Sequence, residues 1–363
     1  MKTKLLLIAV SCLFLFSVTG QTQPAPSPEA AMNQMNQMLQ SPMGQEMMKT
    51  GTRAAMRSFW EGQGSNLMVI GLMNDPEIRA AWSVTDEQHQ QFQNFHNPMN
   101  MVARLQSNPE FQQLQSEMQA IPNMIGLLSG QNTDEESQTK FLGLQEKITS
   151  LTMTMMSDHI DSHLTPEQKQ KMKESQLATM SEMPFVTPDA FEALNLTDAQ
   201  KRQMEGIKKE LEPEFEKHLE KFLDGQVIIV RKMFTEFGRQ GTNFTDHEAL
   251  QAIAKKLVAD DPELKRIQDE RLSQGRAFSE QFRTKMFDVL TDEQWARLQE
   301  LIDNPPAYAA VLLKKMKEQR GESEKSGGAW IPGPGAWQPG SSAIPEQYRQ
   351  ERNTGRRFPR GTD

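Results

Sequence analysis

The chain has 363 residues, a formal charge of −8 and no continuous basic stripe, a balance that argues against nucleic acid as its main partner. Its one cysteine, Cys12, falls in a leader, so the mature chain would offer no disulfide, thiol catalysis or cysteine zinc site. Its 24 methionines, with Leu, Gln, Glu, Ala and Lys filling the periodic stretches, favour helices over an extensive sheet, and the expected fold class is all-α.

Residues 1–20 read as a secretory signal peptide. Met1-Lys2-Thr3-Lys4 is basic, Leu5 to Phe16 is apolar, and Ser17-Val18-Thr19-Gly20 offers small residues for cleavage after Gly20. The apolar run is too short to span a bilayer, and no later stretch approaches that length. A lipoprotein reading would use Ala9-Val10-Ser11-Cys12 as its modification box, and would leave Leu13 to Phe16 as an apolar start to the mature chain. The expected location is periplasmic or secreted.

Residues 21–83 form a Pro-, Met- and Gln-rich helical segment. Met32, Met35, Met38, Met43, Met47 and Met48 have two readings: a thioether cluster for a soft metal, or a flexible apolar helix face. The second is adopted. Asn66 to Ala81 reads as a buried strap in which Pro76 starts a helical turn.

One phrase then recurs. Val84-Thr85-Asp86-Glu87-Gln88 returns as Leu164-Thr165-Pro166-Glu167-Gln168, Leu196-Thr197-Asp198-Ala199-Gln200 and Leu290-Thr291-Asp292-Glu293-Gln294. This is the grammar of a helix start. The Thr hydroxyl accepts from the amide three residues on, and the Gln side chain reaches back to the Thr amide. Pro166 occupies the first helical position, and acidic first-turn residues meet the positive end of the helix dipole. Leu290 and Trp295 have the spacing of a hydrophobic staple.

The motifs divide the middle of the chain into two units, residues 84–183 and 184–304. In the first, His89, Phe92, Phe95, Met99 and Val102 mark a helix disturbed at Pro98, and Phe111, Leu114 and Met118 mark a second. Thr133-Asp134-Glu135-Glu136 is read as a capping box opening a long helix with Phe141, Leu144, Ile148, Leu151, Met155 and His159 on one face. In the second unit, Met204, Ile207, Leu211, Phe215, Leu219 and Phe222 form a stripe bent at Pro213. Thr245-Asp246-His247-Glu248 caps a shorter helix, and Asp261-Pro262-Glu263 opens a long one of about 40 Å. Motif glutamines stand 80 residues apart in the first unit and 94 in the second. The common order of elements suggests an internal duplication, joined by a linker around Pro184 to Pro188.

A terminal helix is expected over 305–320. Residues 321–363 are expected to be a disordered tail: Gly328-Ala329-Trp330-Ile331-Pro332-Gly333 is echoed by Gly335-Ala336-Trp337-Gln338-Pro339-Gly340, followed by an Arg-rich end. It reads either as a solvated tail or as a docking tail with two Trp anchors.

The Leu-Thr-x-x-Gln phrase resembles the signature of bacterial periplasmic helical proteins of the Spy/CpxP group, here as a tandem of two units. Leu164, Thr165, Gln168, Leu196, Thr197, Gln200, Leu290, Thr291 and Gln294 match position by position, while Thr85 and Gln88 follow Val84 in place of Leu. The resemblance implies a cradle-shaped helical protein with a role in envelope stress, holding unfolded clients without ATP or sensing stress or metal. Four motifs in place of two, and an acidic rather than basic balance, depart from that pattern.

No catalytic, cofactor or metal residue is assigned. His159 and His163, four apart, would be the first metal candidates, with Asp158 or Met155 nearby, but they also fit a packed histidine and a helix-end histidine. His89 and His96 share a face at a longer spacing; His218 and His247 have no obvious partners. The nucleophile elbow, phosphate loop and dinucleotide fingerprint do not occur. Charge runs such as Lys208-Lys209-Glu210 and Glu216-Lys217 read as solvated helix surface. The expectation is therefore an exported non-enzymatic binding protein whose partner is a protein client or an envelope protein. A metal-binding periplasmic sensor and a structural envelope-associated protein are the alternatives.

Overall fold

A computed structural model describes residues 40–122, 126, 134–180, 187–240, 252–253, 256–257 and 260–325. These residues are all-α, without strands. The helices are α1 (Pro42–Ser58), α2 (Gly64–Leu72), α3 (Pro76–Ala81), α4 (Asp86–His96), α5 (Pro98–Ser107), α6 (Pro109–Gln119), α7 (Glu135–His163), α8 (Pro166–Ala178), α9 (Asp198–Gln240), α10 (Pro262–Asp288), α11 (Asp292–Asp303) and α12 (Ala307–Lys325). A π-helical turn, Phe59–Gln63, joins α1 to α2, and a 3₁₀ helix, Pro188–Leu194, precedes α9.

The starts are written in the sequence as a polar cap followed by proline. Ser41, Asp75, Asn108, Thr165 and Asp261 each accept an amide from the first turn, and each is followed by Pro at the first helical position. Pro76 and Pro262 therefore begin helices as expected. The start of α7 differs from expectation by one residue. Asp134, not Thr133, is the cap, and its carboxylate accepts from the Ser137 amide at 3.1 Å. Pro98 does more than disturb a helix: Asn97 is extended, separating α4 from α5. Pro213, by contrast, leaves α9 unbroken over 43 residues.

The buried face of α7 also departs from the expected stripe. Phe141, Leu144 and Ile148 are buried as read, but Thr152, Met156 and Ile160 continue the core in place of Leu151, Met155 and His159, which lie half-buried. Uniform steps of four rotate the stripe around the helix, because four residues overshoot a full turn. Thr152 tolerates full burial by donating its hydroxyl to the Ile148 carbonyl at 2.8 Å.

Three large apolar cores and two small ones run through the described residues. The first joins Met43, Met47, Phe95, Leu105, Phe111, Leu114 and Phe141. The second gathers Val69, Met73, Ile78, Trp82, Phe92, Ile160, Met172 and, from α12, Leu312. The third sets Trp60, Leu177 and Met180 among Phe191, Leu211, Phe215, Phe282, Phe287, Trp295 and Leu298. Segments read as separate from the two units thus complete their cores. Asn66 to Ala81, read as a strap, forms most of α2 and α3. The expected linker ends at Pro188, which is buried and starts the 3₁₀ helix carrying the fully buried Phe191; residues 184–186 lie outside the described residues. The terminal helix extends to Lys325 rather than stopping at 320. The Thr245 cap, Met32, Met35, Met38, the leader and residues 326–363 also lie outside the described residues. No described helix is long and apolar enough to cross a membrane.

Candidate functional site

The four motifs come together in two pairs. Thr85, Thr165 and Thr291 each form both halves of a capping box with Gln88, Gln168 and Gln294. Thr197 and Gln200 make the same two bonds, at 2.9 and 3.2 Å. The apolar lead residues Val84, Leu164, Leu196 and Leu290 are buried, and Leu290 shares a core with Trp295, as a staple requires.

Each glutamine does more than cap its own helix. Gln88 Nε2 donates to Gln168 Oε1 at 3.0 Å, and Gln168 Nε2 donates back to Gln88 Oε1 at 2.9 Å. Gln200 Nε2 and Gln294 Oε1 are 2.6 Å apart, with the return bond from Gln294 Nε2 to Gln200 Oε1 at 3.1 Å. The second N–H of each amide reaches across to the segment that leads into the other motif. Gln88 donates to the His163 carbonyl at 2.6 Å and Gln200 to the Val289 carbonyl at 2.9 Å. Gln168 donates to Ser83 at 2.6 Å, and Gln294 to Asn195 at 3.2 Å. In all four cases the accepting carbonyl lies two residues before the opposite motif's threonine. Two donors and two acceptor directions are thereby used on every glutamine, which is the full capacity of the side chain.

Ser83 and Asn195 share a further property. Both adopt the left-handed conformation, with φ of 59° and 56°, and no other described non-glycine residue has positive φ. The turn they make places their carbonyls toward the opposing glutamine. Sequence spacing flags the caps, but nothing in a single motif announces that two of them will interlock.

The pairs are tied to each other through α8, which Thr165 caps, and α11, which Thr291 caps. Glu174 on α8 is buried; Arg297 on α11 and Tyr308 on α12 both donate to its carboxylate. Burial acts to raise the Glu174 pKa, but the bonds from Tyr308, Gln170 and Arg297 outweigh it and hold the group below its usual range. Burial, with the Glu174 charge, pushes the Tyr308 phenol up to about 12. Gln170 also donates to the Ala193 carbonyl, just before Asn195. A further buried network joins Ser65, Gln176 and Thr187, and Gly64 admits it: an added Cβ there would lie 2.3 Å from Thr187 Cγ2. Beside it, burial raises the Asp189 carboxyl against bonds from Thr187 and Ser65, and Asp189 Oδ1 is enclosed without a hydrogen-bond partner.

His159 and His163 are brought together, with ring centroids 4.1 Å apart. His159 stacks on Phe95 at 3.9 Å and meets the edge of Phe92, while His163 Nδ1 lies 2.7 Å from the His159 carbonyl. The pair thus adjoins the first glutamine pair, which takes His163's own carbonyl as one of its two backbone acceptors. No group of three or more His, Cys, Asp or Glu that could hold a metal occurs among the described residues. His89 lies beside Gln93, and burial with the nearby Arg79 lowers its pKa. His218 approaches Glu214 at 3.6 Å and packs near Phe278. Met43 and Met47 enter the first core, and Met48 packs against Val230 and Phe234.

One arrangement escaped the sequence reading. Glu216, taken with its neighbours as solvated surface, belongs to an ion ladder between α1 and α9. Lys49 pairs with Asp224 at 2.7 Å, Arg53 with Glu220 at 2.7 Å, and Arg57 with Glu216 at 2.9 Å. One partner ascends in steps of four while the other descends, so the helices are antiparallel. Arg57 also reaches Glu146 of α7 at 2.7 Å. Bonds from Gln145 to the Met47 carbonyl, Gln63 to Thr154 and Asn66 to Ser157 show α1 and α2 running parallel to α7. The signal was present as matched four-residue spacings of opposite charge, 170 residues apart in rough measure. No protein-family model, curated protein or solved structure matches the chain.

Proposed function

We propose that this chain is an exported, non-enzymatic helical binding protein of the Spy/CpxP type, holding non-native protein or an envelope partner on its helical surface. The observation that carries the reading is the interlocking of all four motifs into two glutamine pairs built alike. Such pairs fix the angles at which four helices, the 43-residue α9 among them, leave their starts, and a rigid helical frame is what a holding surface needs. The matched bonds, and the shared left-handed residue before the first motif of each pair, also support a duplicated unit.

The test is light scattering with an aggregating client protein. Suppression at stoichiometric amounts without ATP is the expected outcome, and undiminished scattering at several-fold excess would remove the reading. Fractionation of cells carrying the full chain tests export: a mature product shortened by the leader belongs in the periplasmic or secreted fraction.

A further inference from the structure

α1 combines a close-packed face of small residues with a ladder of ion pairs. Its inward face is made largely of small or polar residues: Thr50, Gly51, Ala54, Ala55 and Ser58 are all buried. Its large apolar groups are methionines: Met43 and Met47 enter one core, while Met48 packs against Val230 and Phe234 and Met56 against the core around Trp60 and Phe215. Beside these methionine contacts the attachment to α9 is a ladder of ion pairs, in which the carboxylates of Glu220 and Asp224 are substantially exposed. Exposed pairs of this kind contribute little each and weaken with salt. The fit on the α7 side is imperfect as well. Gln145 donates to the Met47 carbonyl, but its Oε1 is buried with no hydrogen-bond partner. An orphaned acceptor is a cost that a better-matched occupant would avoid. At its far end α1 gives way to the π-helical turn, where Gly62 at φ 105° interrupts the helical backbone and separates α1 from α2.

We propose that the trough between α7 and α9 is a binding site for a basic amphipathic helix of another polypeptide, closed in the resting chain by its own α1. The chemistry of the occupant is read from α1 itself. It carries cations at positions i, i+4 and i+8 to meet Asp224, Glu220 and Glu216, with Glu146 reinforcing the last, and small residues on its inward side. This inference rests on the reading of the chain as a binding protein and names the class of segment it takes. A partner helix gains access in proportion to the fraction of molecules in which α1 has left the trough.

The experiment uses the full chain and a fluorescein-labelled peptide with the sequence of residues 41–58. Arg53→Glu with Arg57→Glu sets α1 against its own acidic partners and opens the trough. Fluorescence polarisation should show this variant capturing the peptide about tenfold or more tighter than the unaltered chain. Capture should weaken as salt rises and vanish when Glu216→Lys and Glu220→Lys are added. Equal capture by the unaltered and opened chains, or capture indifferent to Glu216→Lys and Glu220→Lys, overturns the proposal. A variant that unfolds leaves hydrogen exchange on the unaltered chain to decide. Amides of residues 43–58 should exchange at least about tenfold faster than those midway along α9, and faster still in high salt; exchange as slow as α9 at every salt concentration overturns it. Client aggregation is a separate readout. Suppression without peptide capture would retain the holding function and discard this site, whereas capture without suppression would do the reverse.

Discussion

The two glutamine pairs share a hydrogen-bond frame but not its filling. Beneath Gln88 and Gln168 lie His159, His163, Phe92 and Phe95, a mixed layer of imidazole and phenyl rings. Beneath Gln200 and Gln294 lie Phe287 and Trp295, with ring centroids 5.3 Å apart, and Phe191 beyond them. The polar frame is satisfied within itself, so it makes no demand on the side chains below. A helix entry can therefore be held constant while the core under it changes from ionisable to wholly apolar. The threonine motif is an instruction about backbone geometry rather than about the core.

The largest effect expected is from removing the more buried glutamine of a pair. Gln200→Leu strands the Thr197 amide, the Val289 carbonyl and the Gln294 side chain together, and should cost about 3 kcal/mol in urea unfolding. Gln168→Leu should cost the same within about 0.5 kcal/mol if the frames are equivalent. A gap above about 1.5 kcal/mol would break the comparison.

Next is the tie between the pairs. Glu174→Gln keeps the shape but weakens the bonds from Arg297 and Tyr308, and should cost about 2 kcal/mol at neutral pH. The folded-state pKa of Glu174 lies below its ordinary 4.5, so this stabilisation is complete above that value and is lost as pH falls through the folded one. Unfolding midpoints of the two proteins should therefore converge in acid.

Cap removal comes third. Thr291→Ala and Thr85→Ala should each cost about 1 kcal/mol, because both hydroxyls are exposed and each serves a single amide. A much larger loss at Thr85 would show that the histidine layer depends on that cap. The smallest effect has the opposite sign. Asp189 has its folded pKa above the ordinary 3.8, so its ionised form is penalised at neutral pH and relieved as pH falls through the raised value. Asp189→Asn should stabilise the chain by up to about 1 kcal/mol at pH 7, with the gain disappearing below about pH 4. Thermal midpoints across that range check it.

Helix starts were legible because a cap is local chemistry: Asp75-Pro76, Asp261-Pro262 and the four threonines announce themselves within four residues. The buried side of α8 was not legible. Gln168, Glu174, Ser175 and Gln176 are all buried, and periodicity assigns such residues to solvent. Their burial depends on partners elsewhere, as when Ser175 accepts from Trp82 Nε1 at 3.0 Å. The ladder of α1 was hidden for the same reason, since each of its charges has an innocent local explanation. The interlocked glutamines lay between these cases, with motifs visible and their meeting invisible.

The seating of α1 has a consequence for the order of events as the chain is made. Arg53 finds Glu220 only 167 residues later, and Arg57 finds Glu216 after 159. Contacts so distant along the chain demand costly loop closure before they return any stabilisation. The earliest described helix to leave the ribosome is thus seated in two stages: Met47 and Arg57 meet Gln145 and Glu146 of α7 after 98 and 89 residues, and the acidic row of α9 arrives only later.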